Sequence, residues 1–214
     1  MRLAHRTIQN ALFNVGSWVF PLAVSFVFTP YIVRMLGTNA YGVLTLVWSV
    51  IGYFTFLDLG LGQAVTKFVA ESMGRHDVRE ANHAIGAAVL VSAVLGTLGG
   101  GIIFLLAGVM ATRWLNVPAE MTAAAVLAFH IGAAGFVIGM YHTMCRAVLR
   151  GLNRYDVTSL LTILSSVLAT AGTAALLCLG CSLPHIVLLN VGIQLLATLI
   201  YVATAVRISP GLRV

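Results

Sequence analysis

Residues 56–71 read FLDLGLGQAVTKFVAE. An aspartate, a glutamine, a lysine and a glutamate interrupt a run that is otherwise apolar or small. In water these would be ordinary surface groups of a helix. In lipid, Asp58 would cost about 2.5–3.5 kcal/mol near the middle of a span. Which solvent surrounds this stretch therefore decides the fold.

Composition answers for lipid. The chain has 214 residues, 60% of them hydrophobic and 8% charged, with a mean hydropathy of +1.00. A soluble domain carries roughly 25% charged residues. So apolar a chain cannot cover a water-facing surface, and its length leaves room for roughly six or seven spans of about 20 residues. The expected fold is all-α, with six transmembrane helices near 11–33, 41–70, 84–110, 122–145, 157–179 and 186–206, forming a single lobe over 1–214. The run at 11–33 is longer than the apolar core of a signal peptide, so an uncleaved first helix is expected. Pro21 and Pro30 predict bends or breaks in it, and Gly37 predicts its C-terminal cap. Gly99, Gly100 and Gly101 predict close approach of another helix.

The net charge is +6 and the sequence pI is about 9.7. The basic residues fall in short connections between apolar runs, which fits orientation bias and not nucleic-acid binding. Arg2, Arg6, Lys67, Arg75, Arg79, Arg146, Arg150, Arg154, Arg207 and Arg213 fall on one side, and Arg34 and Arg113 on the other. Ten of the twelve Lys and Arg residues thus predict both termini in the cytoplasm and an even number of spans.

Five of the six acids have structural readings. Asp77 and Glu80 form a capping box, Asp156 is expected as an N-cap, and Glu120 falls in a first helical turn after Pro118. Glu71 is four residues from Lys67 and from Arg75. Asp58 has no such account. It is at no expected helix end and has no base three or four residues away. Lys67 is nine residues on, about 900° at ~100° per residue, so an unbroken helix would aim the two oppositely. Asp58 should face the bundle interior and marks a functional site.

His142, Arg146, Arg150 and Arg154 are spaced by fours. They predict a slowly drifting basic face suited to lipid phosphates or a pyrophosphate, with Arg146 the deepest of the arginines. Positive-side anchoring accounts equally for Arg150 and Arg154. Gln63, His142 and His130 are secondary cavity candidates, His130 as a proton relay. Cys178-Leu-Gly-Cys181 with His185 falls short of the four ligands of a structural zinc site, so no metal site and no cofactor are expected. Metalloprotease, serine-hydrolase and P-loop motifs are missing, which argues against an enzyme.

Three stretches taken together carry a resemblance: PYIVRMLGTNAYG at 30–42, GYFTFLDLGLGQAVTKFVAE at 52–71 and RAVLRGLNRYD at 146–156. As a set they resemble the polysaccharide-biosynthesis flippases, the O-antigen and teichoic-acid exporter group of the multidrug/oligosaccharidyl-lipid/polysaccharide superfamily. The resemblance covers nearly the whole chain. It implies two six-helix lobes around a central cavity in the cytoplasmic membrane of a prokaryote. It also implies movement of undecaprenyl-diphosphate-linked oligosaccharide between leaflets for cell-surface polysaccharide, with H+ or Na+ as the candidate coupling ion. Carried over by position, Arg34, Asp58, Lys67 and Arg146 are the charged cavity candidates. Relatives commonly have arginine where Lys67 stands, which keeps the charge but loses bidentate phosphate geometry. Family transporters have twelve or more helices, so this chain resembles the N-terminal lobe. It is expected either as a truncated piece completed by a missing second lobe, or as one of two copies that assemble. A drug/cation antiporter of the same superfamily and a non-transporting six-helix scaffold are the competing readings.

Overall fold

The computed structural model describes the backbone of residues 2–208, and the side chains of Gly16 and of residues 19–208. The side chains of Arg2 and Arg6, and all of Arg213, lie outside the described residues. The described chain is helical: α1 (Arg2–Leu36), α2 (Thr38–Phe54), a 3-10 turn (Thr55–Asp58), α3 (Leu61–Gly74), α4 (Val78–Val109), a π-helical turn (Met110–Trp114), α5 (Ala119–Gly151), α6 (Tyr155–Cys178) and α7 (Leu183–Ile208). Among the described residues six stretches are long and apolar enough to cross a membrane: Val19–Leu36, Thr38–Asp58, Val78–Trp114, Ala119–Gly151, Tyr155–Cys178 and Leu183–Ile208. The outward surface suits lipid, with Leu22, Phe26, Leu105, Leu160 and Leu196 all exposed.

Two expectations about helix continuity change. α1 runs unbroken through Pro21 and Pro30. A membrane helix tolerates the lost donors where local adjustments meet the freed carbonyls. The expected second helix at 41–70 is not continuous. It ends in the 3-10 turn at Thr55–Asp58, breaks at Leu59 and Gly60, and resumes as α3, which runs on along α5 in the same direction, from Gly62 beside Thr143 to Val69 beside Gly151. Leu59 has φ 47° and Gly60 has φ 79°, two left-handed residues in succession that a helix cannot accommodate. At fourteen residues, α3 is about 21 Å long, short of a ~30 Å hydrocarbon core.

The turns follow local chemistry. Gly37, with φ 81°, ends α1 while its N–H donates to Val33 O at 3.0 Å, as a glycine cap does. Asp77 caps α4, accepting the Glu80 N–H at 2.9 Å. Asp77→Ala should cost about 1 kcal/mol, read as faster amide exchange at the start of α4. Asp156 is not the N-cap expected of it. Arg154 holds that place, and Asp156 in the first turn pairs with Arg154 Nε at 3.1 Å.

α5 is the central helix, packed against α7, α4, α3 and α2, while α1 lies on α6. Small residues set these distances. A Cβ on Gly99 would stand 2.5 Å from Phe136, and one on Gly100 would stand 3.0 Å from Ala133 O. At Gly151 a Cβ would meet Val69 Cβ at 2.8 Å and Thr66 O at 3.0 Å. Thr66 Oγ1 reaches back to Ala147 O at 3.2 Å across the same crossing. Because backbone cannot yield there, Gly151→Leu should destabilise by about 1–3 kcal/mol. The check is thermal unfolding in detergent against Gly101→Leu, whose added Cβ meets nothing within 4 Å.

Candidate functional site

The break after Asp58 builds a cavity. α2 and its 3-10 turn deliver Asp58 beside Thr143 of α5, where α3 starts, and α3 then follows the last two turns of α5 toward the end of the bundle where α6 begins. This end carries Lys67, Arg75, Arg79, Arg146, Arg150, Arg154 and Arg207, and is called the basic end. A cavity of about 460 Å³ opens there, lined by Asp58, Gly62, Gln63, Thr66, Lys67, Thr143, Arg146, Ala147, Arg150 and Tyr155. The break at Leu59–Gly60 thus undoes the opposition of Asp58 and Lys67 expected on a straight helix. Both line one space.

Asp58 is half-buried, held over the start of α3. A Cβ built on Gly62 would be 4.0 Å from Asp58 Oδ2 and 3.1 Å from Thr143 Cγ2. Three bases and one acid line the cavity, yet no ion pair joins them. The ion pairs among the described residues are Arg75–Glu71 at 2.6 Å and Arg154–Asp156 at 3.1 Å. Arg150 Nε is buried and has no hydrogen-bond partner among the described residues. Such an orphan donor is costly unless a ligand meets it. The cavity therefore holds uncompensated positive charge in a low-dielectric wall, a setting that favours a multivalent anion.

The expected basic stripe on α5 divides. Steps of four advance about 400°, so the face drifts by ~40° each time. Arg146 and Arg150 face the cavity. Arg154 lies past the end of α5 and is occupied by Asp156. His142 turns to α7, its Nδ1 3.1 Å from Thr198 Oγ1 and its ring 5.2 Å from that of Tyr201. The Thr198 hydroxyl donates to Gln194 O at 2.7 Å. Its one proton is thereby used, so His142 Nδ1–H is the donor in their bond.

The other candidates lie apart. Arg34 is exposed in the last turn of α1, outside both cavities described here. His130 stacks on Phe104 with ring centres 4.2 Å apart. Gln63 lines the cavity. Cys178 Sγ is 3.0 Å from Tyr31 Oη, which ties α1 to α6, and His185 Nδ1 is 3.0 Å from Ser182 Oγ.

A second cavity of about 150 Å³ adjoins the first and shares Asp58 and Thr143 with it. Its walls come from α2, α5 and α7, with Trp48, Phe136 and Gln194 among them. Sequence reasoning missed Trp48, Thr143 and Gln194. Position 143 is separated from Gly139 and Ala147 by four residues on either side, which is the one signal that could have placed it. Gln194 stands out only as an amide within an apolar helix.

Comparison with known proteins gives a family match. A family model described as "Polysaccharide biosynthesis protein" matches residues 7–210. The chain is also 29% identical over 130 residues to a Bacillus subtilis (strain 168) protein named "Uncharacterized membrane protein EpsK". That match covers 58% of this chain and 25% of the relative, so the chain accounts for only a quarter of the relative's length. No solved structure matches.

Proposed function

From membership of the polysaccharide biosynthesis protein family, to which this chain belongs, we propose that it is one lobe of a flippase for lipid-linked oligosaccharide. It is a multi-pass protein of the cell membrane. In the proposed reading the basic end faces the cytoplasm, following the excess of Lys and Arg there. The basic cavity takes the diphosphate headgroup of a polyprenyl-linked saccharide, and alternating access carries it to the other leaflet.

The observation that supports this best is the unpaired set Lys67, Arg146 and Arg150 around one space. Guanidinium forks match phosphate oxygens in pairs, and a lysine adds a point charge. Asp58 opposes them. It binds a coupling cation, H+ or Na+, or accepts a hydrogen bond from the headgroup's neutral part. Release of a cation from Asp58 would leave a carboxylate next to the diphosphate, which favours departure of the headgroup by like-charge repulsion. A drug/cation antiporter would need an acid-dominated cavity, and three bases to one acid count against it. A second lobe, or a second copy of the chain in the same orientation, completes the pathway.

The test is binding of undecaprenyl diphosphate and of uncharged undecaprenol to the purified chain in nanodiscs. The diphosphate should bind at least about tenfold tighter, equivalent to ~1.4 kcal/mol, and more weakly as salt rises. Equal binding of the two lipids would remove the headgroup reading.

A further inference from the structure

The smaller cavity differs chemically from the larger one. No basic residue lines it. Trp48, Ile51, Thr55 and Asp58 follow one another by three, four and three residues, one continuous face of α2 and its 3-10 turn. Opposite them α5 presents Gly132, Gly135 and Gly139, with Phe136, Met140 and Thr143. α7 contributes Val191 and Gln194. The glycines let neighbours lie close. A Cβ on Gly135 would be 2.6 Å from Val191 Cγ2, and one on Gly139 would be 3.1 Å from Gln194 Nε2. The result is a slot with apolar walls and four polar side chains: the Asp58 carboxylate, the Gln194 amide and the hydroxyls of Thr55 and Thr143.

We propose that this slot is a sugar subsite, which seats the first ring of the lipid-linked saccharide while the diphosphate stays among Lys67, Arg146 and Arg150. The proposal rests on the lipid-diphosphate reading above and adds to it which part of the headgroup enters and what recognises it. A pyranose has apolar C–H faces and a rim of hydroxyls. The Trp48 indole and the side chains of Ile51, Phe136 and Val191 offer flat apolar surface to the faces. Asp58 accepts from rim hydroxyls, Gln194 and Thr143 both donate and accept, and Thr55, whose proton goes to Ile51 O at 3.2 Å, accepts. A pocket of mostly apolar lining with a few placed polar groups is the usual form of a small-molecule site.

Size and charge narrow the occupant. About 150 Å³ is room for roughly five waters at ~30 Å³ each, enough for one ring and too little for a chain of them. A phosphate is disfavoured, because the slot has no cation and a carboxylate at its mouth. An alkyl tail is disfavoured, because it would leave the Asp58 carboxylate, the Gln194 amide and the Thr143 hydroxyl unpaired. The two compartments meet at Asp58 and Thr143, just as the diphosphate and the first sugar of such a lipid are covalently joined. Gln194 is then a specificity-determining residue held in place from behind. Its own carbonyl accepts the Thr198 hydroxyl, which His142 in turn engages.

The experiment uses the whole 214-residue chain in native mass spectrometry. The lipids are undecaprenyl diphosphate and the same lipid carrying one glucose, galactose or N-acetylglucosamine. At least one glycosylated form should bind about tenfold tighter than the bare lipid. Trp48→Leu and Gln194→Ala should each erase that gain, and Gly139→Ala, which displaces Gln194, should erase most of it. Bare-lipid binding in each variant reports that it has folded. Equal affinity for bare and glycosylated lipids would overturn the subsite and leave the headgroup reading intact. A sugar-dependent gain that survives both Trp48→Leu and Gln194→Ala would overturn its location. Failure of every lipid to bind would overturn the headgroup reading and the subsite together.

Discussion

Asp58→Asn is expected to lower polysaccharide export by about 10–100-fold while the protein still inserts and accumulates in the membrane. The substitution keeps the shape, removes the charge and turns one acceptor oxygen into an NH2 donor. Hydrogen bonds to charged groups contribute about 1.5–3 kcal/mol, and each ~1.4 kcal/mol is a factor of ten. Insertion should improve slightly, because a carboxylate in a span is costly and an amide less so. The position explains why no neighbour compensates. Asp58 ends the 3-10 turn, the helix breaks at Leu59 and Gly60, and no ion pair reaches its carboxylate among the described residues. Export is measured as surface polysaccharide in cells that depend on the protein, with its membrane level measured alongside. Normal surface polysaccharide at a normal protein level would remove Asp58 from the mechanism.

Arg146→Ala should weaken binding of undecaprenyl diphosphate by about 10–100-fold, on the same scale for a lost charge-assisted contact. Arg154→Ala makes the same change of charge eight residues on, where the guanidinium is already paired with Asp156 at 3.1 Å and lies outside the cavity. Its effect should stay below about fivefold, since exposed ion pairs contribute ~0–1 kcal/mol. Titration of both variants at one salt concentration separates a specific headgroup site from general attraction to an anionic lipid. Lys67→Arg should bind at least as well as the native chain, because it restores the bidentate fork. Equal losses in Arg146→Ala and Arg154→Ala would mean that the lipid senses net charge and not this cavity.

Much of the fold was legible because lipid imposes a simple rule. Backbone groups must pair within each span, so long apolar runs read as helices, and six were found where six were expected. Gly99 and Gly100 were readable as packing residues for the same reason: only small residues allow helices that close. The break at Leu59–Gly60 was harder. Gly60 and Gly62 suggested a loosening, but the break depends on Leu59 also taking φ 47°, which is rare for a leucine and unmarked in sequence. That one residue decides whether Asp58 and Lys67 oppose or share a cavity.

The candidate site was legible in its charges and not in its walls. Asp58, Lys67 and Arg146 stand out because a charge in an apolar run is an exception. Arg150 could not be told from Arg154 by spacing; what separates them is the end of α5 at Gly151 and the turn through Asn153, φ 59°. The placement of Val191 and Gln194 was hidden for a different reason. α7 is apolar on the side facing lipid and on the side facing α5, so its hydropathy carries no period from which to read a face. Only packing reveals which of its residues meet the cavity.

The central claim is that a lipid-linked saccharide crosses the membrane by way of the basic cavity. Reconstitution in liposomes tests it most directly: a fluorescent undecaprenyl-diphosphate saccharide is placed in one leaflet, and its appearance in the other is followed by quenching. The native chain, alone or with a supplied second lobe, should move the lipid. The Arg146→Glu, Arg150→Glu double variant should fall to the rate of protein-free liposomes while Arg154→Glu retains transport. Movement at the native rate by the double variant, or none by the native chain with either completion, would contradict the account.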